Sequence, residues 1–272
     1  MVAVNHVQVA DFITKSKLPA ADYVINPYIG CPHGCIYCYA EFMKRFTAHS
    51  EEWGEFIDVK SCAKKISITK LAGESVLIGS VTDAYNPYEK KYLVTSNILK
   101  QLAGTTAHFE ILTKSSLVIR DIELFRHIPN IKIGISMNSL DEKFRRQTEP
   151  RASSVRKRLD ALKMLHDAGI QTYVFMSPIF PGITDFQTIV EQTSSYADAF
   201  YFENLNLRAG YYLRVMRYIE ENYPHLISLY NEIFRKKNIS YWQELENSIT
   251  RYCTERGLNF KSYFYHERIK KR

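Results

Sequence analysis

Fifteen residues constrain this chain more than any others: Asn-Pro-Tyr-Ile-Gly-Cys-Pro-His-Gly-Cys-Ile-Tyr-Cys-Tyr-Ala, residues 26–40. Three of the five cysteines, Cys31, Cys35 and Cys38, stand here in a C-x3-C-x2-C spacing, with two of the eleven glycines and two of the nine prolines. Glycine and proline let a backbone double back tightly, which sulfurs converging on one metal centre require. Three thiolates from one short loop suit a zinc ion or an iron–sulfur cluster. A disulfide reading pairs two and leaves one over.

The spacing separates the metal readings. Zinc modules usually present two short ligand pairs well apart, and no second C-x-x-C follows downstream. His33 serves as a fourth ligand only by crowding inside its own loop. A catalytic zinc with three cysteines and a water stays open as a reading, but lacks an obvious general base beside it. A [4Fe-4S] cluster held by three cysteines fits without extra assumptions, since its open iron can chelate an amine and a carboxylate.

The run C-x3-C-x-aromatic-C, with Tyr37 in the aromatic slot, resembles the radical S-adenosylmethionine (SAM) signature. The wider string N-P-Y-x-G-C-x-H-G-C-x-Y-C-Y-A resembles the spore photoproduct lyase branch of that superfamily. Its continuation through Ala40-Glu41-Phe42-Met43-Lys44-Arg45-Phe46 is similar to the family called radical SAM mobile pair protein B. By motif order the resemblance extends from Tyr23 to Arg208.

At 272 residues the chain makes one large domain, or a domain with an appendage, and can bury a substantial core. No apolar run approaches the ~20 residues of a membrane span, and residues 1–16 carry no apolar signal core, so a cytoplasmic protein without a membrane partner is expected. The net charge of +7 permits a nucleic-acid partner without demanding one.

Residues 1–22 read as a lead-in. Thereafter strands are expected over 21–25, 75–79, 108–112, 131–135, 171–176 and 199–202. Helices are expected over 40–46, 61–71, 92–102, 117–125, 153–168 and 185–196. The clearest is 153–168: Ser153 or Ser154 caps it, Val155, Leu159, Leu162 and Leu165 share a face, and Gly169 ends it. Residues 47–59 read as a polar insertion loop with Trp53 and Phe56 as aromatic anchors. Six strand–helix alternations argue for parallel strands with crossover helices, fewer than the eight units and roughly 250 residues of a full barrel. The expected fold is α/β: a partial (β/α)6 TIM-type barrel over 23–209, which is also the fold the resemblance implies. A helical C-terminal extension over 210–272 follows, with helices over 211–221, 226–236 and 241–255. The basic tail 268–272 reads as a solvated end.

Ligands of such barrels bind where the strands end at their carboxyl side. After the second strand, Ser80, Thr82 and Asp83 can accept an ammonium, the place where the family holds the methionine amine. After the third, Lys114 can pair with a carboxylate, and the resemblance gives it a cofactor contact. After the fourth, the resemblance implies cofactor contacts for Ser136 and Asn138, the latter at the ribose. Arg158 is the first choice to bind the carboxylate, with Arg156 and Lys157 on a solvated helix face. Residues 177–182 would wall the adenine, and 203–206 would reach substrate. In the lyase a tyrosine just past the last cluster cysteine takes part in hydrogen transfer, which implies a catalytic role for Tyr39, against packing as the alternative. The lyase's hydrogen-donating cysteine corresponds to Val81, which has no thiol hydrogen. Cys62 and Cys253 read as ordinary buried thiols.

These resemblances imply a radical SAM enzyme. A [4Fe-4S] cluster would reductively cleave SAM to a 5′-deoxyadenosyl radical that takes hydrogen from a macromolecular or peptide substrate. Partners would be a second, paired radical SAM protein and an electron donor such as flavodoxin or ferredoxin. The alternatives are a DNA-lesion repair lyase and a zinc-stabilised nucleic-acid-binding protein.

Overall fold

The computed structural model describes residues 2–19 and 21–264, so the basic tail 268–272 lies outside the described residues. Eleven strands occur among them: β1 Ala3–Gln8, β2 Ile13–Lys15, β3 Tyr23–Ile25, β4 Tyr28–Ile29, β5 Phe56–Ser61, β6 Ser75–Ile78, β7 His108–Thr113, β8 Ile131–Ser136, β9 Gln171–Ile179, β10 Ala199–Asn204 and β11 Phe260–Ser262. Eight form one sheet in the order β11-β10-β9-β8-β7-β6-β3-β2. All pairs from β3 to β11 are parallel, with Tyr23 opposite Val76, Ile78 opposite Ile111, Ile111 opposite Ile133, and Phe200 opposite Phe260. Only β2 runs antiparallel, against β3. The six parallel strands read from the sequence are present, and the end strands β2 and β11 leave the barrel open.

Side chains alternate across this sheet. One row, including Val76, Ile78, Phe109, Ile111, Ile133, Ile135, Val174, Met176, Phe200 and Phe202, is fully buried. It packs in one core with Leu162 and Leu165 of the helix Val155–Asp167 and Ile189 and Val190 of the helix Phe186–Thr193. Each such side chain contributes about 1.5–3 kcal/mol by leaving water, which fixes the register. The opposite row faces the barrel lumen and is partly polar. Lys132 Nζ pairs with Glu110 Oε2 at 2.7 Å and donates to Tyr201 Oη at 3.2 Å. The Tyr173 ring lies across Gly134, where a Cβ would sit 2.1 Å from Tyr173 Cζ.

Three expectations need correction. The lead-in forms two strands: β1 pairs with β5 from Ala3–Phe56 to Gln8–Ser61, and β2 pairs with β3. The last residues of the insertion loop, 56–59, and the start of the helix expected over 61–71 give way to β5, leaving only Ile68–Leu71 helical. Ile57 and Val59 are β-branched and buried, and β5 is paired on both sides, by β1 and β4; partners distant in sequence decide its state. The extension is helical over Ala209–Asn222 and Ser240–Glu255, but then returns as β11 beside β10. Between these helices, 3-10, α and π turns share residues 224–235. Among the described residues no helix is long and apolar enough to cross a membrane.

Candidate active site

The second, smaller sheet, β1-β5-β4, presents the cysteine loop to the carboxyl ends of the parallel strands. Gly30 leaves β4 at φ +83°, and a Cβ there would meet the Phe56 carbonyl oxygen at 2.5 Å, so both conformation and space demand glycine. Arg151 clamps the loop. Its amide donates to the His33 carbonyl at 3.3 Å, its Nε to the Pro32 carbonyl, and its Nη2 to the Gly54 carbonyl at 2.7 Å. The Ile36 amide donates to the Thr148 carbonyl at 3.0 Å. After Cys38 the chain makes the 3-10 helix Tyr39–Phe46, where a helix over 40–46 was expected.

Cys31, Cys35 and Cys38 are partly exposed and all line one large cavity of about 1790 Å³, which runs from the loop into the barrel lumen. Burial pushes all three thiols up, Cys31 to about 12. They are therefore protonated at neutral pH without a metal, and loading one releases protons. Among the described residues no three His, Cys, Asp or Glu side chains close around a single ion. Trp53 Nε1 donates to Cys38 Sγ at 3.3 Å.

The loop after β6 is wired to the cysteine loop. Thr82 Oγ1 donates to the Gly30 carbonyl at 2.6 Å, and Ser80 Oγ meets Asn26 Nδ2 at 3.0 Å. Asp83 accepts from Thr113 Oγ1 at 2.6 Å and from the amides of Lys114 and Tyr85 at 2.8 Å, with His33 Nδ1 at 3.3 Å. Burial works against its charge, but His33 and these donors prevail and hold its carboxyl at about 2. Ser80, Thr82 and Asp83 all line the cavity.

Lys114 and Ser136 also line it. The Lys114 ammonium stands 5.7 Å from the centre of the Tyr37 ring. Burial opposes its charge, and the nearby Glu149 carboxylate prevails over it. Ser136 Oγ is buried with no hydrogen-bond partner in the protein, an acceptor or donor waiting for a ligand. Ser177, Pro178, Glu203 and Asn206 complete the rim. Tyr39 is 58% exposed at the mouth and donates to the Ser80 carbonyl. Val81 lines the cavity, whereas Cys62 and Cys253 do not.

Three expected contacts lie elsewhere. Arg158 is 1% exposed and does not line the cavity. Its Nη2 pairs with Glu149, its Nη1 donates to the Ser136 carbonyl at 3.0 Å and its Nε to the Ser153 carbonyl at 3.0 Å. Asn138 is likewise off the cavity, and its Nδ2 donates to Tyr37 Oη at 3.2 Å. Of residues 177–182, Phe180 is turned inward, edge-on to Tyr37 and Phe144. Tyr37 lines the cavity and sends its hydroxyl to Glu149. Sequence reasoning missed Glu149 as the centre of this buried triad. A carboxylate followed by proline just ahead of a helix cap was the available signal. It also missed the Trp53 donor, for which no local pattern existed.

The residues present fit an iron–sulfur cluster with SAM beside it: three thiols that line one cavity of about 1790 Å³, and a buried serine hydroxyl without a partner on a residue that lines the same cavity. A family model of the Radical SAM superfamily matches residues 25–191, more than half of the chain. The chain belongs to the radical SAM superfamily, enzymes that use a [4Fe-4S] cluster and S-adenosylmethionine.

Among curated relatives it is 40% identical over 212 residues to an uncharacterized protein of Methanocaldococcus jannaschii, covering 78% of this chain and 80% of the relative. It is 30% identical over 171 residues to an uncharacterized protein of Acidianus two-tailed virus, covering 58% and 56%. Among solved structures, a mutant spore photoproduct lyase with bound AdoMet and dinucleoside spore photoproduct aligns with TM-score 0.59 at 18% identity, over 81% of this chain and 66% of the lyase. Streptococcus suis SuiB bound to S-adenosylmethionine aligns with TM-score 0.59 at 18% identity, over 88% and 49%. At such identity the likeness is one of fold. The chain thus spans about two thirds of the lyase and half of SuiB.

Proposed function

We infer that this enzyme cleaves SAM reductively and uses the product to take hydrogen from a macromolecular or peptide substrate. When bound, the reduced cluster and SAM supply a 5′-deoxyadenosyl radical. The observation that carries the reading is the cavity: about 1790 Å³, against the roughly 300–1,000 Å³ of an ordinary small-molecule site. It leaves room for a second large ligand reaching into the lumen.

The chain's own residues have distinct parts. Cys31, Cys35 and Cys38 hold the cluster. Lys114, charged and on the cavity, binds the methionine carboxylate, taking the part expected of Arg158. Ser136 Oγ supplies a further polar contact to SAM. Ser80, Thr82 and Asp83 orient the methionine amine, Asp83 with its ionised carboxylate already held by four donors. Tyr39, at the mouth beside Ser80, is the candidate to pass hydrogen. Val81 brings no thiol hydrogen to the cavity, so repair of spore photoproduct by a cysteine donor in that loop is not supported. The mobile-pair resemblance is the ground for proposing a second radical SAM protein as partner, and reductive cleavage of SAM is the ground for proposing an external electron donor of flavodoxin or ferredoxin type.

The test is anaerobic reconstitution with iron and sulfide, reduction with dithionite and SAM, and assay of 5′-deoxyadenosine. Formation that needs the cluster and vanishes in Cys38→Ala supports the reading. A protein that holds zinc, takes up no iron and makes no 5′-deoxyadenosine overturns it. Anaerobic co-purification with the paired protein tests the partnership.

A further inference from the structure

Trp53 sits outside the C-x3-C-x2-C motif, yet its indole reaches the motif's last sulfur. Nε1 lies 3.3 Å from Cys38 Sγ. Indole nitrogen is a donor only, so the polarity of this contact is fixed: the proton points at sulfur, whatever the sulfur binds.

The indole packs against an aromatic ring that is itself braced, and the backbone beside it is tied to the cysteine loop. Its ring stands edge-on to Phe56, at 5.7 Å and 85°. Phe56 is fully buried and stacked on His49 at 3.9 Å and 15°. Both nitrogens of His49 are tied, Nε2 to Asp58 Oδ1 at 2.7 Å and Nδ1 to Glu51 Oε2 at 3.0 Å. The next residue, Gly54, gives its carbonyl to Arg151, the residue that also clamps Pro32 and His33 in the cysteine loop. Donor and sulfur are therefore tied to the same residue, Trp53 through the carbonyl of the next residue and the cysteine loop through Pro32 and His33.

We propose that Trp53 tunes the reduction potential of the cluster by donating its N–H to the Cys38 sulfur. The inference rests on the iron–sulfur reading above. Adding an electron to a cluster raises the negative charge on its sulfurs. A fixed N–H aimed at one of them stabilises the reduced form more than the oxidised form, and hydrogen bonds to sulfur are among the factors that set such potentials. Trp53 is thus a positioning residue acting through Cys38.

The test uses the reconstituted enzyme and the variant Trp53→Phe, which keeps an aromatic ring against Phe56 and removes the donor. The readout is the midpoint potential, from a redox titration followed by electron paramagnetic resonance, at matched iron and sulfide content. The expected result is a lower midpoint. At a fixed potential the reduced-to-oxidised ratio falls about tenfold, which is about 59 mV for a one-electron couple. An unchanged midpoint in a fully loaded variant overturns the proposal and leaves the cluster reading standing.

A second measurement needs no variant. Electron–nuclear double resonance of the reduced wild-type enzyme should show an exchangeable proton coupled to the cluster, lost in heavy water, and a coupled nitrogen when tryptophan carries indole nitrogen-15. Absence of both overturns the proposal. A chain that takes up no cluster at all overturns the iron–sulfur reading, and this proposal with it.

Discussion

Glu149 has no exposed surface and answers to three groups at once: the Arg158 guanidinium, the Tyr37 hydroxyl and, through space, the Lys114 ammonium. Burial works against its charge, and Arg158 and Lys114 prevail and hold its carboxyl below the usual range. Arg158→Ala strands that carboxylate, and breaking a buried pair costs about 3–5 kcal/mol; denaturant unfolding should show a loss of that order. Lys114→Met removes a charge on the cavity instead. It should weaken SAM binding about tenfold in calorimetry, in keeping with a charged hydrogen bond of about 1.5–3 kcal/mol. A Lys114→Met enzyme that binds SAM normally, beside an Arg158→Lys enzyme that does not, would restore Arg158 to the carboxylate. Tyr39→Phe should keep 5′-deoxyadenosine formation and lose substrate product, because the hydroxyl at the mouth is removed while the cysteines and Lys114 stay.

At the scale of elements, β5 holds the cysteine loop from behind, and the residues leading into it carry His49, an imidazole tied at both nitrogens to carboxylates. Burial lowers the pKa of His49, but the hydrogen bonds and charges of Asp58 and Glu51 outweigh it, so the folded value lies above the ordinary 6.5. A raised folded pKa stabilises the fold fully below 6.5 and less as pH rises through the folded value. Unfolding free energy should therefore decline as pH climbs above 6.5, and His49→Gln should flatten that slope. Within the sheet, the placement of the Tyr173 ring of β9 over the neighbouring strand β8 depends on Gly134. Gly134→Ala must displace the Tyr173 ring, an overpacking of about 1–3 kcal/mol. Thermal unfolding should show the loss, while cluster content, set by the cysteine loop, stays unchanged.

At the scale of the molecule, the large sheet stays open among the described residues, and Val215, Ile219 and Ile249 of the C-terminal helices join its hydrophobic core. Trp242, in the helix Ser240–Glu255, is buried against Phe234, Tyr241 and Phe264, and Trp242→Ala should cost about 3–5 kcal/mol. The order of strands and helices, the helix Val155–Asp167 with its Ser154 cap, and the three cysteines were legible because each is written locally, as a period, a cap or a spacing. The strands β1, β5 and β11 were not, because each is stabilised by partners far along the chain. The same division runs through the site. Residue type and spacing along the chain determined the cluster chemistry, since three thiols within eight residues need only a tight loop to converge. Tertiary structure alone decided which cations face the cavity: Arg158 and Lys114 carry the same charge, and only packing sends one into a buried pair with Glu149 and leaves the other on the cavity. It also decided that Trp53 meets a sulfur. Contacts of this kind depend on how separate elements pack together, and one-dimensional pattern carries no record of them.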